Sequence, residues 1–142
     1  MALGMTNLED VEIEAAETTA PDTLTWVSDV TGTPLDAAAT EKFMDVIIQV
    51  SIPFHADAVL GAELHLRFSA DGGTTEDTPE VGTFAKLIDV SAGNTVIVSH
   101  RVPGMFSYLD VGLKNLEAGG NESITGWSAK YSGSKMTGMV SS

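Results

Sequence analysis

The chain has 142 residues, with 20 acidic against 7 basic side chains, a formal net charge of -13 and no cysteine. That length fits one domain able to bury a core. The charge argues against binding to nucleic-acid phosphate, which draws on Lys and Arg. The missing cysteines exclude disulfides, thiol nucleophiles and Cys-ligated zinc. No apolar run approaches the roughly 20 residues of a membrane span, and the N-terminus lacks a basic start followed by an apolar stretch, so no membrane association or processing is expected. With 43% hydrophobic residues and only 19% charged ones, part of the surface is expected to serve as an interface.

The first 41 residues hold nine carboxylates and no Lys or Arg (Glu9, Asp10, Glu12, Glu14, Glu17, Asp22, Asp29, Asp36 and Glu41). Residues 1–21 read as an extended acidic arm. Its periodicity is weak: Leu8, Val11, Ile13 and Ala16 suit a helical stripe, whereas Val11-Glu12-Ile13-Glu14 suits an edge strand. A disordered acidic tail is the competing reading, and the apolar residues within the segment favour docking.

Strand-like stretches follow at regular spacing. Leu24 to Val30 stops at the turn Thr31-Gly32-Thr33-Pro34, and Pro34 to Glu41 offers a helical turn behind Asp36 or a loop. Lys42 to Ile52 is the most apolar segment, with Met44, Val46, Ile48 and Val50 on one face and Phe43 and Ile47 on the other, a central strand covered on both sides. Leu60 to Ala70 alternates Ala62, Leu64, Leu66 and Phe68 against Glu63, His65 and Arg67, a half-solvated strand. It runs into Asp71-Gly72-Gly73, residues suited to positive φ. Further strands are expected at Val81 to Val90, Asn94 to Arg101, Met105 to Asn115 and Glu122 to Tyr131. The expected fold is all-β: an antiparallel β-sandwich, jelly-roll-like, of about eight strands over residues 22–131, followed by a Gly/Ser/Met-rich tail at 132–142.

No catalytic signature stands out, and neither a cofactor nor a metal site is expected. The histidines His55, His65 and His100 lack spacing that would make them converge, and His65 sits beside Glu63 and Arg67 as a solvated partner. The loop from Asp71 to Glu80 gathers Asp71, Glu76, Asp77 and Glu80, hard ligands of the kind calcium takes, but it matches no EF-hand spacing and reads better as a solvated turn. Serines are abundant without a Gly-x-Ser-x-Gly elbow. Trp26, Trp127 and Tyr131 are candidates for stacking on sugar rings, against the commoner role of such rings in a core or an interface.

Three features carry a resemblance. They are the apolar strand Met44 to Val50; Leu64 to Phe68 running into Ser69-Ala70-Asp71-Gly72-Gly73-Thr74-Thr75; and the closing pair Tyr108 to Asn115 and Ile124 to Tyr131. In this layout the chain resembles small β-sandwich virion structural proteins of tailed phages. The resemblance implies a non-enzymatic capsid decoration or cement protein on the capsid surface. Its partners would be the major capsid protein and further copies of itself, a trimer first and a dimer second. Contacts are then expected from Leu8, Val11 and Ile13 in the arm and from Met136 and Met139 in the tail. The alternative is a carbohydrate-binding sandwich module of a tail fibre or secreted protein, using the three aromatic residues above.

Overall fold

The computed structural model describes residues 4–76 and 84–138. Nine strands appear among them: β1 (Gly4–Thr19), β2 (Thr23–Trp26), β3 (Leu35–Asp36), β4 (Lys42–Pro53), β5 (Ala62–Phe68), β6 (Phe84–Ile88), β7 (Thr95–Phe106), β8 (Tyr108–Asn115) and β9 (Ile124–Thr137). A 3₁₀ turn at Val27–Asp29 follows β2. Every pairing is antiparallel. One sheet runs β1-β9-β4-β7; the other runs β2-β8-β5-β6, with β3 also on β8. The expected all-β sandwich is therefore the observed fold.

The two sheets close on one core. The first contributes Phe43, Val46, Ile48, Val50 and Ile52 from β4 with Trp127, Ala129 and Tyr131 from β9; the second contributes Ala62, Leu64 and Leu66 from β5 with Leu109, Val111 and Leu113 from β8. The alternation read in β5 is the one observed, with Ala62, Leu64 and Leu66 buried and Glu63, His65 and Arg67 turned outward.

In β4 the expected faces are rearranged. Asp45 sits at φ 54, and the ladders to β7 and β9 slip there. This bulge puts Phe43 on the same buried side as Val46 and leaves Ile47 45% exposed on the outer face, so β4 is covered on one side only. Pro103-Gly104, expected to end a strand, lies instead within β7, at the irregular part of its pairing with β4.

Most of the segment read as an arm is strand. Gly4–Thr19 lies along β9 from Thr137 back to Ile124, with register shifts at four places, and forms an edge of its sheet. The bulges let Ile13 and Glu14 both turn inward, which a regular period of two forbids. Part of the segment read as a tail, Ser132 to Thr137, is likewise the end of β9.

Candidate functional site

The outer face of the β2-β8-β5-β6 sheet carries the most highly organised polar cluster among the described residues. Cross-strand register builds it: Arg67 on β5 lies opposite Asp110 on β8, and Trp26 on β2 and His65 on β5 both lie opposite Gly112. Gly112 makes room for the indole, since a Cβ there would stand 2.8 Å from Trp26 Cε3. Trp26 in turn roofs the guanidinium, whose Cζ lies 4.1 Å from the ring centroid.

Asp110 is fully buried. Arg67 Nε donates to Asp110 Oδ2 at 3.0 Å, and Nη2 lies 2.8 Å from the same oxygen, a charge-assisted contact with one carboxylate oxygen. Ser28 Oγ donates to Oδ2 at 2.5 Å, and the Ser28 and Val111 amides donate to Oδ1 at 3.3 and 3.0 Å. A buried carboxylate is tolerated only when so fully partnered. Glu76 Oε2 approaches Arg67 Nε to 2.6 Å; because that N–H already donates to Asp110, the contact is an ion pair without an aligned hydrogen bond.

Asp110 and Glu76 thus share one guanidinium, and the exposed Asp29 carboxylate lies 4.0 Å from its Nη2. Desolvation, then the neighbouring Asp110, raise the pKa of Glu76 to about 7, with Arg67 opposing. Tyr108, on the same strand as Asp110, is pushed up to about 12 by burial and by both carboxylates, and it stays a neutral phenol. The loop following β5 folds over this face. Ser69 Oγ donates to Asp71 Oδ1 at 2.7 Å, and the Thr75 amide donates to the same oxygen at 2.6 Å, which holds the Asp71 carboxyl below its ordinary range. Gly73, at φ +93, has no room for a side chain against the Tyr108 ring. The cluster therefore fixes a surface loop to a sheet. Its guanidinium and the Ser28 hydroxyl are engaged by Asp110, while Glu76 Oε2 is buried without a hydrogen-bond partner.

The other expected site residues fall elsewhere. His65 bonds Glu63 at 3.2 Å and meets Trp26 edge-on, while His55 Nδ1 accepts from the Asp57 amide at 3.0 Å in the loop after β4. His100 lies on β7, its pKa lowered by burial and by Lys86. Among the described residues no group of three His, Asp or Glu is placed to hold a metal ion. In the Asp71 to Glu80 loop, Asp71 and Glu76 are committed internally; Asp77 and Glu80 lie outside the described residues.

The three rings weighed for sugar stacking take the commoner role, packing inside the protein. Trp26 is buried with its ring face against the Arg67 guanidinium, Trp127 is fully buried with Nε1 donating to Thr19 Oγ1 at 2.9 Å, and Tyr131 packs edge-on to Phe43. None presents a ring face to solvent. Of the contact residues, Ile13 is 1% exposed and belongs to the core, a correction to its expected place on a free arm; Leu8 and Val11 are partly buried against that core. Met136 pairs with Met5 and Lys42 at the sheet end, and Met139 lies outside the described residues.

Sequence reasoning passed over Arg67, Asp110 and Glu76 as a unit. The available signal was Asp110, a lone carboxylate in the otherwise apolar run Leu109 to Leu113, which needs a cation once that run is a covered strand.

Fold and site together define an antiparallel two-sheet sandwich whose polar machinery serves its own architecture. No protein-family model matches the chain, and no curated protein matches it. Among solved structures it is similar to chains of infectious bursal disease virus. In the crystal structure of the T13 viral particle the TM-score is 0.52 at 13% identity, over 96% of this chain and 31% of that one. In the Gt strain structure the TM-score is 0.54 at 12% identity, over 96% and 32%. The chain therefore spans about a third of the length of those viral chains, and the likeness is one of fold.

Proposed function

We propose that this chain is a non-enzymatic virion structural protein, of the kind that decorates a capsid and bridges neighbouring capsid subunits. The observation supporting this most is that 96% of the chain follows the sandwich of chains from an icosahedral virus particle. An ionic cluster that fixes a surface loop to its sheet agrees with a role exercised through contacts. So do the large apolar side chains left in solvent, among them Met5 at 59% exposure and Met105 at 53%. The net charge of -13 suits a position facing away from packaged nucleic acid. In this reading the partners are the major capsid protein and further copies of the chain, and Met5, Leu8 and Met136 at one sheet end are contacts toward the shell.

Immunogold labelling of intact particles of the encoding virus, with antibody raised against the purified chain, tests the proposal. Label on the outside of unopened particles is expected. Absence of the chain from gradient-purified particles would refute it.

A further inference from the structure

The two lateral edges of the β1-β9-β4-β7 sheet are built differently. β1 is irregular: four register shifts interrupt its ladder to β9, Asp10 takes a positive φ, and the strand bears Glu9, Asp10, Glu12, Glu14 and Glu17. Bulges and charges of this kind blunt an edge against further pairing. β7 is blunted only at its far end, where Pro103-Gly104 interrupts the pairing. From Thr95 to Val102 it pairs with Pro53 to Val46 without a shift, and among the described residues no strand lies on its other side.

Its composition is as unusual as its regularity. In a chain of 20 carboxylates, residues Val90 to Leu109 contain none, and β7 carries Arg101. Ile97 is 62% exposed, and Leu87, on the neighbouring edge strand β6, is 65% exposed. The Lys86 ammonium on β6 donates to the Ser99 carbonyl oxygen at 3.1 Å, so the Ser99 peptide group points off the sheet edge. That ammonium is exposed and on a flexible stem, which an incoming strand can displace.

We propose that two copies of this chain pair through β7, antiparallel about Ser99, joining their four-stranded sheets into one continuous sheet. The occupant follows from charge. Two molecules of net charge -13 approach most readily through a stretch that bears no carboxylate of its own, and Thr95 to Val102 of β7 is one; among the described residues the carboxylate paired with it is Asp45, whose Oδ1 accepts from Arg101 Nη2 at 3.2 Å. The acidic β1 edge of a second copy is excluded by its bulges, which cannot match a regular ladder.

Register follows from side-chain alternation. Val96, Val98 and Val102 must stay on the core-facing side in both copies, so paired residue numbers sum to an even value. Centring on Ser99 places Ser99 opposite itself, Val98 opposite His100, Ile97 opposite Arg101 and Val96 opposite Val102 of the other copy. No like charges then face each other. Such a pairing is self-complementary and closes at two copies, which makes the dimer, not the trimer, the unit of self-association. It does not depend on the virion reading, because it is tested in solution and not on particles.

The absence of native cysteine makes cross-linking decisive. Ser99→Cys should oxidise to a covalent dimer within minutes at micromolar protein, since a self-paired residue whose peptide group points across the seam brings the two Cα atoms to about 5.5 Å, inside disulfide range. Glu12→Cys, on the β1 edge, serves as the control and should cross-link at least tenfold more slowly. In light scattering the unmodified chain should show twice the 14.9 kDa of one copy, and Ile97→Lys, which adds a charge to an exposed position, should return the monomer mass with an unchanged circular dichroism spectrum. A monomer at 100-fold higher concentration would overturn the proposal. So would a dimer in which Glu12→Cys cross-links and Ser99→Cys does not.

Discussion

Replacing Ile13 by alanine separates a strand that belongs to the core from an arm that merely lies on it. The Ile13 side chain is 1% exposed and clusters with residues from both sheets, while Glu12, one position away, is exposed opposite Lys130. Truncating a fully buried isoleucine removes its transfer free energy and leaves a cavity, together about 2–5 kcal/mol. At an edge strand, where bulged backbone can settle inward, the lower half of that range, about 2–3 kcal/mol, is expected. Domains of this size are stable by roughly 5–15 kcal/mol, so the variant should fold with a clearly lowered melting temperature. An unfolding entropy of about 2.1 cal/mol/K per residue over this length makes the shift roughly 3 °C per kcal/mol, or about 6–9 °C in all. Thermal and urea unfolding followed by circular dichroism measure it, with Glu12→Ala as the exposed comparison, expected within about 0.5 kcal/mol of the parent chain. If Ile13→Ala costs no more than Glu12→Ala, β1 does not pack as described, and the case against a detached arm fails.

Two further predictions concern the outer-face cluster. Arg67→Ala leaves the fully buried Asp110 without its cation and should cost about 3–5 kcal/mol, read as a lower urea midpoint; a change under about 1 kcal/mol would mean that the pair contributes little. The raised pKa of Glu76, from its ordinary 4.5 to about 7, has a definite sign: the folded chain binds this proton more tightly than the unfolded chain. This group's contribution to stability is therefore full below about pH 4.5 and is lost as pH rises toward about 7. Glu76→Gln, which keeps the shape and cannot ionise, should flatten that part of the stability profile measured by urea titration from pH 4.5 to 8. An unchanged slope would show that Glu76 titrates normally.

How much could be read beforehand depended on the range of the interactions. β5 was legible residue by residue because a regular, half-buried strand writes its environment into a period of two, as Ala62 to Phe68 do. β4 was legible as a strand but not in its faces, because the bulge at Asp45 shifts the alternation without leaving a mark in hydropathy. β1 was harder still. Its partner residues in β9 are more than 100 positions away, as in Glu12 with Lys130, and its bulges erase the period that would have announced it. Charge pointed to an arm; pairing made it an edge. The ionic cluster was illegible for the same reason. Arg67 and Asp110 are 43 residues apart and meet only through the β5-β8 register.

The most direct test of the proposed role is a cryo-electron microscopy reconstruction of intact virus particles purified from cells in which this chain is made. The account predicts density for this nine-stranded sandwich on the outer surface of the shell, seated across the boundary between neighbouring capsid subunits. A shell whose outer surface carries no such domain, in particles produced with the chain present, would contradict it.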